Sequence, residues 1–218
     1  MNKQPQQYLQ LLGATVKPLL QCAKKGTLAC LGKLDALKDA VVTEIRDDIA
    51  AVRQRDPAAK SDIEVLLLYS GVHAILAYRV AHKLYISKHY FPARLISQIA
   101  RAWTGIEIHP GATIGKGFFI DHGAGVVIGE TAEIGDNCTL YQGVTLGAKS
   151  FPLDENGNPI KGIPRHPILE DNVIVYSNAT VLGRITLAEG TVIGGNLWVT
   201  ESTKPGEHLV QARKRISE

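Results

Sequence analysis

The stretch TGIEIHPGATIGKGFFIDHGAGVVIGETAEIGDNCTLYQGVTLG, residues 104–147, sets aliphatic side chains six residues apart, at Ile108, Ile114 and Ile120 and then at Ile128, Ile134, Leu140 and Leu146. A second run, Leu169, Val175, Val181, Leu187, Ile193 and Val199, keeps the same step unbroken. Four residues after most of these comes a small or apolar side chain: Ala112, Ala124, Ala132, Cys138 and Val144, then Val173, Ala179, Ile185 and Thr191. An amphipathic helix repeats at about 3.6 and a half-buried strand at about 2, so neither accounts for a period of six. A short fixed period denotes a solenoid, whose rungs bury their inner faces only against one another. Three hexads close one triangular coil, with glycine easing the corners. The expectation is a parallel β-helix of roughly four to five coils, left-handed as the hexapeptide form is known to be.

Two interruptions stand out. From Ile120 to Ile128 the step is eight, so DHGAGVV carries two extra residues. Between Leu146 and Leu169 lies GAKSFPLDENGNPIKGIPRHPI, off-period and rich in turn formers, with DENGNP a turn. A loop this long on a regular rod is usually functional. Asp121-His122 falls in the first interruption and Arg165-His166 near the end of the second. Histidine titrates near neutral pH and arginine grips carboxylates, so these dipeptides are the first candidates for chemistry. Other residues have plainer readings. His109 fixes the first corner, Cys138 fills a core position, and His73 and His82 pack on helices. Glu130 either supports the site or turns a coil.

Upstream the composition changes. Only four of the 21 glycines precede Gly105, and residues 1–104 carry 15 Lys and Arg against 8 Asp and Glu, where the remainder carries 9 against 13. In DALKDAVVTEIRDDIAAVRQRD, Leu37, Val41, Ile45, Ile49 and Val52 share one helical face, which Asp56-Pro57 ends. Ser61 caps a following helix, with Glu64 completing a capping box. The apolar run from Ser61 to Tyr90 reads as one or two helices, and Pro92 permits another through ARLISQIARAWT. The fold class is therefore α+β. An all-helical domain over residues 1–104 leads into a left-handed parallel β-helix over 105–200 with one protruding loop, 148–167, and then a tail over 201–218.

Several function classes fall away. The net charge of +3 is spread along helix-like sequence, without a groove-reading motif, so no nucleic-acid role is expected. No apolar run approaches the roughly 20 residues of a membrane span, and MNKQPQQYLQLLG does not read as a signal peptide. Three unpatterned cysteines, Cys22, Cys30 and Cys138, fit a reducing cytosol better than a disulfide framework or a zinc site. A cytoplasmic protein with no metal is expected.

The stretches RDPAA (55–59), YSGVHAILAYRVAHKLY (69–85), ARLISQIAR (93–101), residues 104–137, LYQGVTLG (140–147) and RHP (165–167) resemble the serine O-acetyltransferase family. The resemblance covers about residues 45–200 and is most specific in IHPGA…IG…DHG.GVVIGE. It implies acetyl transfer from acetyl-CoA to the hydroxyl of L-serine, giving O-acetyl-L-serine for cysteine synthesis. By resemblance His122 is the general base, Glu107 its acidic partner, and His166 completes the pocket. Arg165 pairs with the substrate carboxylate, and Asp56 and Asp121 take its ammonium. Gly147, Ala148, Ser177 and Gly195 match positions lining the CoA groove. Direct attack in a ternary complex is implied, because no serine or cysteine lies in a nucleophile motif. Relatives imply a homotrimer or a hexamer formed as a dimer of trimers.

The chain departs from the family after Gly147, where Ala148-Lys149-Ser150 and a longer insert replace a Gly-Gly-Thr-Gly stretch. It also lacks the terminal isoleucine through which some members dock into O-acetylserine sulfhydrylase, so that partner is not firmly implied. The competing readings are a hexapeptide acyltransferase with another hydroxyl acceptor, a zinc carbonic anhydrase using His109, His122 and His166, and a non-catalytic scaffold.

Overall fold

A computed structural model describes residues 28–211, with side chains from Val41 onward. Residues 1–27 and 212–218, on which the leader and sulfhydrylase expectations bear, lie outside the described residues. So do the side chains of Cys30 and Leu37.

Four helices come first among the described residues: α1 (Leu28–Arg55), α2 (Asp62–Leu68), α3 (Ser70–Ile86) and α4 (Tyr90–Thr104). Helix α1 buries Val41, Ile45 and Val52 and stops at Arg55, before the Asp56-Pro57 pair. The Asp56 carboxylate accepts the Ala58 N–H at 2.7 Å and closes the turn. Ser61 Oγ caps α2 by accepting the Glu64 N–H at 3.1 Å. Glu64 reaches back one residue further than a capping box requires, to the Lys60 N–H at 3.0 Å. The apolar run divides at Tyr69, where α2 and α3 meet at 75°, and no single described helix is long and apolar enough to cross a membrane. Gly105, at φ 71°, ends α4 in the left-handed conformation.

The coil follows at once. Its first turn is β1 (Glu107–Ile108), β2 (Thr113–Ile114) and β3 (Phe119–Ile120). The second is β4 (Val127–Ile128), β5 (Glu133–Ile134) and β6 (Thr139–Leu140). The third, split by the long loop, is β7 (Thr145–Gly147), β8 (Ile168–Leu169) and β9 (Ile174–Val175). The fourth is β10 (Thr180–Leu182), β11 (Thr186–Leu187) and β12 (Val192–Ile193), and β13 (Trp198–Val199) and β14 (His208–Leu209) close the rod. Strands stack in parallel into three sheets, ordered β1-β4-β7-β10-β13, β2-β5-β8-β11 and β3-β6-β9-β12-β14. The segment read as a C-terminal tail thus supplies a strand of the third sheet.

Register follows the hexads. Ile108, Ile128, Leu146, Val181 and Val199 are successive partners in the first sheet, and every aliphatic residue of the six-residue series is buried. Each contributes on the order of 1.5–3 kcal/mol of burial. Of the second series, Ala124 is exposed. The two-residue insertion moves its place to Val126, two residues before Ile128, which is fully buried. Corners are turned by asparagine as well as glycine: Asn137, Asn172, Asn178 and Asn196 all have φ near +60°.

The helical half caps the first coil through polar contacts as well as apolar ones. Gly71 of α3 lies against Ile120, where a Cβ would come within 2.2 Å of the Ile120 carbonyl oxygen. Tyr78 Oη donates to the Ala112 carbonyl at 2.6 Å, and Arg79 donates to the Ile114 and Gly115 carbonyls. Behind them Asp48, fully buried, receives the Arg79 guanidinium at 3.1 Å and the Phe118 N–H at 3.0 Å. Removing Asp48 leaves the buried Arg79 with only the more distant Glu44, 3.7 Å away, and the Phe118 N–H without its acceptor, so Asp48→Ala is expected to destabilise the fold by about 3–5 kcal/mol. The exposed pair Arg53–Asp62 should be worth less than about 1 kcal/mol to break. Denaturant unfolding of the two variants checks the contrast.

Candidate active site

Three edges run along the rod where the sheets meet, and the candidate residues lie on two of them. The edge between the third and first sheets carries Asp121–Gly125, then Tyr141–Gly143, Tyr176–Asn178 and Gly194–Asn196 in successive coils. The edge between the first and second sheets carries His109–Gly111, Gly129–Thr131 and the inserted loop with Arg165 and His166.

On the first of these edges His122 has φ 57°, a conformation that elsewhere in the coil only glycine and asparagine adopt among the described residues. Its side chain is 72% exposed, with Nδ1 3.9 Å from Asp121 Oδ1. The two-residue insertion makes this corner possible, with Gly123 packed on Ile106 and the Gly125 N–H donating to the Gly105 carbonyl at 2.9 Å. Asp56 arrives from the end of α1 and accepts the Tyr69 hydroxyl at 2.8 Å. That hydrogen bond, with burial and the nearby carboxylates of Asp56, Glu64 and Asp121, pushes the Tyr69 phenol up to about 12. Burial raises Tyr141 too, followed by Tyr176 and the charges of Asp121 and Asp56. Both tyrosines thus sense both aspartates, and the edge is a cation-attracting one. Tyr141 stacks on Tyr176, centroids 4.8 Å apart. Ser177 and Gly195 lie in adjacent coils of the same edge, where a Cβ on Gly195 would stand 3.1 Å from the Ser177 carbonyl oxygen.

The second edge is built around Glu130. Its carboxylate accepts Tyr85 Oη at 2.9 Å through Oε1 and Arg165 Nη2 at 2.9 Å through Oε2. Burial works against the charge of Glu130, but those two hydrogen bonds and neighbouring positive charge hold its carboxyl below the usual range. Phe151 of the loop lies 5.8 Å from the Arg165 guanidinium, whose Nε is buried without a partner. His166 is 7% exposed, its ring resting on Gly129, where a Cβ would come within 2.0 Å. His109 Nδ1 accepts the Gly111 N–H at 3.0 Å, and its ring meets Tyr85 edge-on. Gly147 ends β7 and Ala148 begins the loop, whose tip is a short hairpin bridged at Leu153 and Pro159.

The structure therefore brings Asp56, Asp121, His122, Ser177 and Gly195 to one edge, and Gly147, Ala148, Arg165 and His166 to another. Glu107 of β1 is paired with Arg101 of α4 at 3.0 Å, and no hydrogen bond joins it to His122. Of the three histidines a zinc site would use, His109 and His166 share an edge and His122 lies on the other. Sequence reasoning missed Tyr69, Tyr85, Thr131 and the Tyr141–Tyr176 stack. Tyr69 and Tyr85 sit in helical sequence that carries no mark of the contacts they make.

A helical segment leading into a parallel β-helix, with its polar groups gathered at the corners, is the architecture of the hexapeptide-repeat acyltransferases. A family model for the N-terminal part of serine acetyltransferase matches residues 30–77. The chain is 51% identical over 180 residues to the serine acetyltransferase of Bacillus subtilis, covering 79% of this chain and 79% of that one. It is 48% identical over 202 residues to a plasmid-encoded serine acetyltransferase of Synechococcus elongatus, covering 93% of this chain but only 62% of that longer relative. Among solved structures, serine acetyltransferase of Neisseria gonorrhoeae in complex with serine superimposes with a TM-score of 0.73 at 30% identity, over 88% of this chain and 78% of that one. The chain belongs to the serine acetyltransferase family.

Burial, then the charge of Arg94, pushes His109 down to about 4. The unfolded chain binds this proton from about pH 6.5, while the folded protein resists it until about 4, so folding stability falls across that window as pH falls. His109→Asn, whose amide oxygen can accept the same Gly111 N–H, is expected to remove up to one proton from the slope of stability against pH. Unfolding midpoints measured between pH 4 and 7 read it directly.

Proposed function

We propose that this chain transfers the acetyl group of acetyl-CoA to the hydroxyl of L-serine, with the active site formed between two copies of the chain. The observation that carries the reading is the division of the polar groups. The carboxylates and the exposed His122 lie on one edge, and the Arg165 guanidinium with a free buried N–H lies on another. A serine zwitterion needs both: carboxylates for its ammonium and a planar cation for its carboxylate. Packing the first edge of one rod against the second edge of its neighbour brings the two halves onto one ligand. Repeated around a three-fold axis this gives a closed homotrimer. The relative solved with serine bound supports the choice of acceptor.

In this scheme Asp56 and Asp121 take the serine ammonium, and Arg165 of the neighbouring copy takes the carboxylate. His122 removes the hydroxyl proton as the oxygen attacks the thioester carbonyl. The tetrahedral intermediate collapses with loss of the CoA thiolate, to which the His122 imidazolium returns the proton. Glu107 enters as the group that orients His122 once it leaves Arg101. Ser177 and Gly195 flank the pantetheine on the His122 edge, facing Gly147 and Ala148 of the neighbour. The rod is read as left-handed. A cytoplasmic setting fits the free buried thiol of Cys138.

Loss of the base is expected to lower kcat of His122→Ala about 10²–10⁴-fold. Removing the arginine fork is expected to raise the serine KM of Arg165→Ala about tenfold or more. At serine well below the wild-type KM, co-assembly of the two impaired variants should restore activity above either alone, since some sites then join an intact His122 edge to an intact Arg165 edge. No transfer to L-serine by the wild type would overturn the reaction. Absence of complementation would overturn the shared site.

A further inference from the structure

Among the described residues, Thr131 makes contacts that the scheme above leaves unexplained. Its Oγ1 accepts the Arg165 N–H at 2.9 Å and the His166 N–H at 3.2 Å, which uses both lone pairs of the hydroxyl. The hydroxyl proton is then free to point only at its remaining neighbour, His166 Nδ1, at 2.8 Å. The Thr131 backbone N–H also donates to His166 Nδ1, at 3.1 Å. An amide N–H cannot accept, so Nδ1 must offer its lone pair and cannot carry a proton. The neutral ring then has its hydrogen on Nε2, the atom for which the structure shows no partner among the described residues. Arg184 clamps the same turn from outside, its Nη1 donating to the Thr131 carbonyl at 3.0 Å and the His166 carbonyl at 3.2 Å. Gly129 lies directly beneath the ring and fixes its plane.

We infer that Thr131 is a positioning residue which locks His166 as a neutral hydrogen-bond donor through Nε2, serving the acceptor's carboxylate beside Arg165 and taking no part in proton transfer. The part concerning the carboxylate rests on the proposed function, while the tautomer stands on the geometry alone. A second proton on His166 would have to enter at Nδ1, against two donors already aimed there. The groups facing the ring agree. Burial, then the Arg165 guanidinium, lower its proton affinity, Glu130 works the other way, and Arg184 adds to the lowering. His109, the other histidine in this cluster, is itself held neutral near pH 7. With His166 barred from proton exchange, His122 is left as the histidine that cycles.

The test combines a spectroscopic and a kinetic measurement. Long-range proton–nitrogen NMR of the intact, histidine-labelled protein at pH 7, with His166 assigned through His166→Asn, should show an unprotonated Nδ1 and a protonated Nε2. A Nδ1–H tautomer or an imidazolium there overturns the proposal, whether or not the protein acetylates serine. Thr131→Val keeps the shape but loses the hydroxyl. It is expected to raise the serine KM about tenfold at pH 8, with kcat changed by less than about threefold. The ratio of variant to wild-type KM should then fall as pH is lowered from about 8 to 5, as His166, held at Nδ1 by the Thr131 N–H alone, gains a proton more readily and attracts the carboxylate. Thr131→Ser should restore the wild-type KM and a ratio that does not vary with pH. A serine KM in Thr131→Val equal to wild type across this range would also overturn it. A failure of the proposed reaction shows separately, as absent transfer to serine alongside an unchanged NMR result.

Discussion

Everything in the β-helix depends on one requirement: an aliphatic side chain must point inward at every sixth residue and land on its equivalent in the next coil. Because register is fixed this way, the corners are forced into three straight rows along the rod. Residues far apart in the chain are thereby stacked at one coil's spacing. Thus His122, Tyr141, Tyr176 and Gly195 form one row, and His109, Glu130 and Arg165 another. Side chains within the sheets alternate between core and surface, but corner residues are free of both demands. Chemistry collects at the corners because only there can the sequence vary without disturbing the inward ladder.

The first coil would present open backbone groups at its end, and the helices supply what closes it. Tyr78 and Arg79 donate to the carbonyls of Ala112, Ile114 and Gly115, while Asp48 accepts the N–H of Phe118. These contacts have a functional consequence. The same helices carry Asp56 to the His122 edge and Tyr85 to Glu130. Docking of the helical half and construction of both edges of the candidate site are therefore one structural event. A disturbance of the buried Asp48–Arg79 pair would be felt at both edges.

The rod was legible in the sequence because its period is strict. The buried aliphatic residues of the six-residue series, the helical first half and the break at Asp56-Pro57 follow from spacing and turn chemistry, while spacing left the run from Ser61 to Tyr90 open as one helix or two. Asp121-His122 and Arg165-His166 stood out because they break that period. The error at Ala124 has the same origin: a count of four from Ile120 ignores the insertion, and Val126 becomes the core residue instead. What could not be read was lateral. Tyr69, at the break between α2 and α3, meets Asp56 across 13 residues, and Tyr85 of α3 meets Glu130 across 45, in an apolar run whose own periodicity is satisfied without those contacts. Nor does spacing reveal that Glu107 pairs with Arg101 of the preceding helix. Adjacency across elements is a property of docking, and a linear pattern carries no trace of it.

The Asp-His and Arg-His pairs look alike in sequence, yet their surroundings fit them, on the proposed scheme, for opposite duties. His122 stands in the left-handed conformation at an exposed corner, open to solvent and flanked by a carboxylate. His166 is buried between two arginines, with one ring nitrogen saturated by Thr131. A proton-transfer group must exchange freely with both substrate and solvent. A recognition group does best when its protonation never changes, since each change would alter the affinity it provides. On the proposed scheme the chain keeps these two demands on separate edges of the rod. They meet only when a second copy brings its Arg165 edge against the His122 edge, so assembly itself completes the acid–base and recognition halves of the site.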